Sequence, residues 1–278
     1  MSATSLVLVS ALLLAAIPPA PSPEAFEAEW QAWREQRLAG LQRPQGWLAL
    51  TGLHWLKEGE NRIPGLPGLF TVSAGAVTLT AAPADGWTLA GAPVTSRRLT
   101  SDQDGKPDRI VSGSRAAQVI ERGGKLAVRA WDAESPVRRT FTGIDTFSPD
   151  PRWRITARWE PYPTPRPVEV PSVVGIPTTE QAPGRAWFTV DGAEHSLEPT
   201  LDGESLFFVF KDRTAPRETY GAGRFLSAAG PKDGKVVLDF NRAYNPPCAF
   251  TPYATCPLPL PRNVLPVRIE AGEKSWGH

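Results

Sequence analysis

KLAVRAWD (residues 125–132) and WRITARWEPY (153–162) decide the fold. In the first, Leu126 and Val128 alternate with Ala127 and Arg129; in the second, Trp153 and Ile155 alternate with Arg154 and Thr156. A period of two places successive side chains on opposite faces, the pattern of a half-buried antiparallel strand. The same reading extends outward to LFTV, AVTLTA, AQVIER, AWFTVDG, HSLEPTL, SLFFVF, KVVLDF and LPVRIEAG, with SDQDGKPDR as a charged loop. Short strands separated by Gly, Pro and Asp, with no βαβ rhythm, predict a mainly β protein, an antiparallel barrel or sandwich. The 30 prolines and 24 glycines of the 278-residue chain fit many turns and short elements.

One helix stands apart from this pattern. Ser22 as N-cap, Pro23 at the first helical position and an early Glu24 open it, and Phe26, Trp30 and Trp33 form its apolar face. With Gly40 as a candidate terminator, the prediction is a helix over 23–39 that covers the sheets. GWLALTGLHWLKEGENRIPG (46–65) fits neither period, so a helical turn and a strand both remain open there. PSVVGIPTTEQAPG (171–184) reads as a linker or as a long connection within one β domain.

The leader MSATSLVLVSALLLAAIPPAPSP carries an apolar run from Leu6 to Ile17, too short for a membrane span and the length of a signal-peptide core. It lacks a basic residue before that run, and Pro21 follows Ala20 at the junction. Two readings stand: residues 1–21 are a signal peptide of an exported or periplasmic protein, or a disordered leader on a cytoplasmic one, with 22–278 a single β-rich domain.

Thirty Lys and Arg against 29 Asp and Glu give a net charge of +1, without the basic stripe that a nucleic-acid surface requires. Three histidines and no HExxH or EF-hand spacing argue against a metal site, and no cofactor motif is present. There is no G-x-S-x-G elbow. Cys248 and Cys256, the only cysteines, bracket a proline-rich loop and are candidates for a structural disulfide in an oxidising compartment or a reduced pair in the cytoplasm. Ten tryptophans exceed what a core of this size needs, so some are candidates for a pocket wall.

The polar residues that remain gather near strand ends. Asp239, Glu273 and Arg224 are the candidate catalytic groups, a carboxylate as general acid or base and the arginine to stabilise negative charge. Asn241 and Asn245 are candidates to orient a ligand, with Tyr220, Trp47 and Trp55 as apolar walls. The expected ligand is a small polar molecule, such as a carbohydrate, and the reaction hydrolase-like or lyase-like. Non-catalytic binding at the same cleft, and a structural or protein-interaction domain without a ligand site, are the alternatives.

TYGAGRF (219–225), LDFNRAYNPPCAF (238–250), TCPLP (255–259) and NVLPVRIEAGEK (263–274) together resemble the C-terminal signature of the DUF1684 family, a bacterial domain of unknown function. The stretch 46–65 resembles the same family's N-terminal signature. The resemblance marks Trp47, Gly52, Leu53 and Trp55 in one segment, and Asp239, Asn241, Tyr244, Asn245, Cys248, Cys256, Asn263 and Glu273 in the other. It implies no reaction, cofactor or substrate.

Overall fold

The computed structural model describes residues 22–277, and the leader read as a signal peptide or a disordered leader lies outside them. The fold is mainly β, a sandwich of sheets against which the N-terminal helix packs. Every strand pairing between the named elements is antiparallel. The six-stranded sheet begins at Leu50–Trp55 and continues through Lys125–Asp132, Arg115–Arg122 and Arg109–Ser112 to two short edge strands. It faces a four-stranded sheet of Gly59–Asn61, Leu69–Ser73, Ala76–Thr80 and Ser96–Leu99. Phe70, Leu79, Trp87, Ile110, Val119 and Val128 fill the space between them.

A second sandwich uses the C-terminal half. The long hairpin Arg154–Val170 and Thr178–Val190, flanked by Lys235–Asp239 and Ala193–Leu197, packs on the three-stranded sheet of Thr200–Asp202, Ser205–Phe210 and Arg224–Ala228. Trp159, Phe188, Phe208, Phe210, Leu226 and Phe240 form its core, with Phe240 edge-on to Phe210. No sheet closes on itself among the described residues, so the sandwich stands and the barrel does not.

Several local expectations are refined. The helix runs Pro23–Leu41, two residues past the expected end, with Ser22 accepting from the Ala25 amide at 3.3 Å. Gly40 therefore lies inside it. The ambiguous stretch after it contains both elements, a 3-10 turn Trp47–Ala49 and the strand Leu50–Trp55. Gly46 precedes that turn because a Cβ would collide with the Leu41 carbonyl. Residues 171–177 are the turn of the long hairpin rather than a linker. LPVRIEAG, predicted as a strand, forms none, although Leu265, Val267, Ile269 and Ala271 are buried by alternation.

The helix straps the sandwich through one face. Phe26, Trp30 and Leu41 are buried at helical spacing, and Arg37 shares that face. Trp30 Nε1 donates to the Asn241 carbonyl at 3.1 Å. Leu41 packs with Leu48, Phe141, Ile144 and Phe250. Trp30→Ala removes both the burial and that hydrogen bond, so it is expected to destabilise the fold by about 3–5 kcal/mol. Urea denaturation followed by far-UV circular dichroism measures this.

Candidate functional site

Of the residues expected to form a catalytic cleft, Asp239, Glu273 and Arg224 are each engaged in ion pairs, the first two through networks that include the N-terminal helix. Asp239 ends its strand and accepts from Arg154 Nε at 2.9 Å, while Arg154 also reaches Glu29 of the helix at 2.8 Å. The chain then turns into the 3-10 segment Phe240–Arg242, so Asp239 and Asn241 do not continue a strand face. Asn241 is fully buried, exchanging two hydrogen bonds with the backbone of Asp150 and donating to Asp239 Oδ1 at 3.0 Å.

Glu273 is held by Arg37 through Oε1 at 2.9 Å and Oε2 at 3.3 Å, and it accepts from the Asn245 amide at 2.6 Å. Arg37 lies over the Tyr244 ring at 4.8 Å and donates to the Asn245 carbonyl at 2.8 Å. Glu29 and Arg37 are eight residues apart on the helix, roughly 12 Å along its axis. The two carboxylates thus share a helix but occupy separate clamps.

Arg224 is the most deeply buried of the three catalytic candidates. It and Asp212 are each 1% exposed and pair at 3.2 Å. Arg224 also donates to the carbonyls of Ile269 and Ala271, and Asp212 accepts from the Ile269 amide at 2.6 Å. Its charge is thereby spent on the protein's own backbone. Tyr220 donates to the Cys248 carbonyl at 3.0 Å, and burial pushes its phenol pKa up. Trp55 is 39% exposed and lines neither the cleft near Leu201 and Phe207 nor the one beside Arg129.

Cys248 and Cys256 are free thiols in contact, with the Cys248 amide donating to Cys256 Sγ at 3.1 Å. The hydrogen bond between the thiols, and then burial, raise Cys256 above the ordinary thiol range. The same hydrogen bond lowers Cys248.

One cleft, of about 390 Å³, opens between the hairpin turn and the strands near Leu201 and Phe207. Its buried Glu198 went unselected in the sequence. Its carboxylate pairs with Arg166 and Arg262, each at 2.7 Å, and its backbone is held by Asn263 through two hydrogen bonds. Glu198 is thus already engaged by protein cations.

The other cleft, of about 610 Å³, lies between the end of the helix and the six-stranded sheet. Register builds it. Arg109 pairs with Gln118, and Gln118 with Arg129, so the three side chains form a row across one sheet face. Ile110, Ala117, Val119, Val128 and Ala130 take the opposite face into the first core. Trp131 lies two residues beyond Arg129 on the row's face, with Arg109 over its ring at 4.8 Å. Trp47, placed by the 3-10 turn, carries Arg129 over its ring at 5.3 Å.

The partners in this row are neutral. Gln118 Oε1 accepts from Arg109 at 2.6 and 3.1 Å, and Gln45 Oε1 at 3.3 Å. Arg129, 9% exposed, donates only to Thr255 Oγ1 at 2.9 Å among the described residues, and its Nε has no acceptor. Trp131 Nε1, also buried, has none either. Arg43 completes the lining, and among the described residues no carboxylate contributes to it. Burial first, and then the charge of Arg122, pull the Arg129 pKa down to about 10. Of these residues the sequence reading singled out Trp47 alone; the signal for the others was polar residues at alternate positions of strands whose register a single sequence does not display.

By fold and contacts this is a β-sandwich protein with a helical strap, its C-terminal half stitched together by buried ion pairs. Residues 139–274 match the family described as "Protein of unknown function (DUF1684)". The match excludes the segment 46–65 and the arginine row. An uncharacterized protein of the archaeon Haloarcula marismortui, solved by solution NMR, is similar at 29% identity over 52% of this chain and 83% of its own, with a TM-score of 0.44. No curated protein matches the chain.

Breaking a buried pair by neutralising one partner costs about 3–5 kcal/mol. Glu273→Gln is expected near the lower end of that range, since Arg37 retains partial contact with water. The urea midpoint of the purified variant measures the loss.

Proposed function

We propose that this protein binds a small polar organic molecule in the cleft lined by Arg43, Gln45, Trp47, Arg109, Arg129 and Trp131. The observation that carries the reading is Arg129, a nine-tenths buried guanidinium with no carboxylate partner beside a cavity of about 610 Å³. Ligand cavities of this size, aromatic-walled with a few convergent polar groups, are the usual form of a small-molecule site. The lining offers no carboxylate, histidine, cysteine or hydroxyl for proton transfer or nucleophilic attack. Binding is therefore favoured over the hydrolase-like or lyase-like reading. Asp239, Glu273 and Arg224 serve as struts in this reading.

The burial of an unpaired charge carries a desolvation penalty of several kcal/mol. Against it stand about 1.5–3 kcal/mol for the charged hydrogen bond to Thr255 and about 0.5–2 kcal/mol for the contact with Trp47. Arg129→Met is accordingly expected to leave the urea midpoint unchanged or raised, as for a residue kept for binding rather than stability. A clear loss of stability would make Arg129 a structural strut. Native mass spectrometry of gently purified protein tests the site itself: a co-purified small molecule is expected on the parent and absent from the Arg109→Gln, Arg129→Met double variant. Retention by that variant removes the cleft as its site.

The loop beside Thr255 carries the cysteines. In an oxidising compartment, Cys248 and Cys256 are expected to give up two electrons and two protons to a disulfide oxidant and join. Titration of denatured, unreduced protein exported to such a compartment then finds no free thiol; two free thiols would refute it.

A further inference from the structure

We propose that the ligand of this cleft is an organic anion, a carboxylate or phosphate carried on a flat unsaturated ring. The inference rests on the binding site argued above and adds its chemical class.

Charge gives the first half of the class. The two row arginines are oriented by amides and a hydroxyl, which fix a guanidinium without neutralising it. Such an arrangement leaves net positive charge for a ligand to complement. Across the row, Arg109 and Arg129 stand two strand spacings apart, roughly 10 Å between backbones, with Gln118 between them. Their long side chains flank a common centre. Arg129 retains N–H donors beyond the one given to Thr255, and guanidinium forks match the paired oxygens of carboxylate and phosphate. The nearest ion pair, Arg122 with Asp102 at 2.8 Å, is already internally balanced.

The walls give the second half. Trp47 and Trp131 both line the cleft and each lies against one of the two guanidinium groups; Trp131 is only 3% exposed, so half-buried Trp47 is the indole with surface to offer a ring. Planar guanidinium and indole surfaces both stack on flat rings. A small hydrated anion would use the arginines and leave the Trp47 indole idle. A ring that carries the anion engages both.

Isothermal titration calorimetry with 2-naphthoate, 2-naphthyl phosphate, 2-naphthamide and inorganic phosphate tests the class. At least one naphthyl anion is expected to bind, with 2-naphthamide and inorganic phosphate each at least about tenfold weaker, a difference of about 1.4 kcal/mol. Binding is expected to weaken as salt rises and the Debye length falls from about 30 Å at 0.01 M to about 3 Å at 1 M. The Arg109→Gln, Arg129→Met double variant is expected to lose the anions, while Arg152→Gln, whose side chain is exposed elsewhere, keeps them. The stronger of the two anions distinguishes a carboxylate source from a phosphate one, and either result supports the class.

Equal binding of 2-naphthamide, or no binding of either naphthyl anion at millimolar concentration, overturns the anion assignment. Inorganic phosphate binding as tightly as 2-naphthyl phosphate overturns the ring. These failures are separable from failure of the site. A neutral ligand that the double variant loses would leave the cleft standing without its proposed class, whereas anions held equally by parent and double variant would remove the cleft.

Discussion

The pairing of Arg224 with Asp212 is the constraint on which the C-terminal half depends. Both side chains are buried at 1% exposure, where an unpaired charge would be costly. Their remaining hydrogen-bonding capacity goes to the final segment of the chain, to the carbonyls of Ile269 and Ala271 and the amide of Ile269. That segment is extended and buried yet belongs to no sheet, so these side chains supply backbone partners that a neighbouring strand would otherwise provide. Glu273, two residues beyond Ala271, is thereby presented to Arg37 of the helix. Core, tail and helical strap are linked through consecutive charged contacts.

Such a sequence of contacts explains why the polar residues nearest the strand ends looked chemical. Asp239, Asn241, Asn245, Arg224 and Glu273 are unusual in apolar surroundings, and burial of polar groups marks both active sites and structural networks. What separates the two is the partner. Arg37 is 236 residues from Glu273, and Arg154 is 85 from Asp239, distances at which local sequence carries no information about pairing. Asp239 was expected to share a strand face with Asn241, but its strand ends there in a 3-10 turn.

The fold itself was more legible, because alternation and capping act locally. Trp153, Ile155, Ala157 and Trp159 turn inward as their spacing requires, and Ser22-Pro23 opens the helix as its chemistry requires. LPVRIEAG keeps the alternation without forming a strand. Alternation there records which side chains are buried, but says nothing of whether a ladder or an arginine satisfies the backbone between them. In Lys125–Asp132, Val128 and Arg129 point to opposite faces and both are buried, since the face outside the first core is covered by Trp47 and the Thr255 loop.

That covering gives the arginine row its character. On an open sheet face, Arg109, Gln118 and Arg129 would be ordinary solvated residues whose charge water would screen. Trp47 on one side and Thr255 on the other remove water from Arg129 without adding a carboxylate, which raises both the penalty of its charge and the strength with which an anion would relieve it. The contrast with Arg224 is within one molecule: that guanidinium, more deeply buried, is matched by Asp212 and two carbonyls. Stability alone favours the matched arrangement. The unmatched one, set beside a cavity and the Trp47 indole, is the arrangement that binding favours.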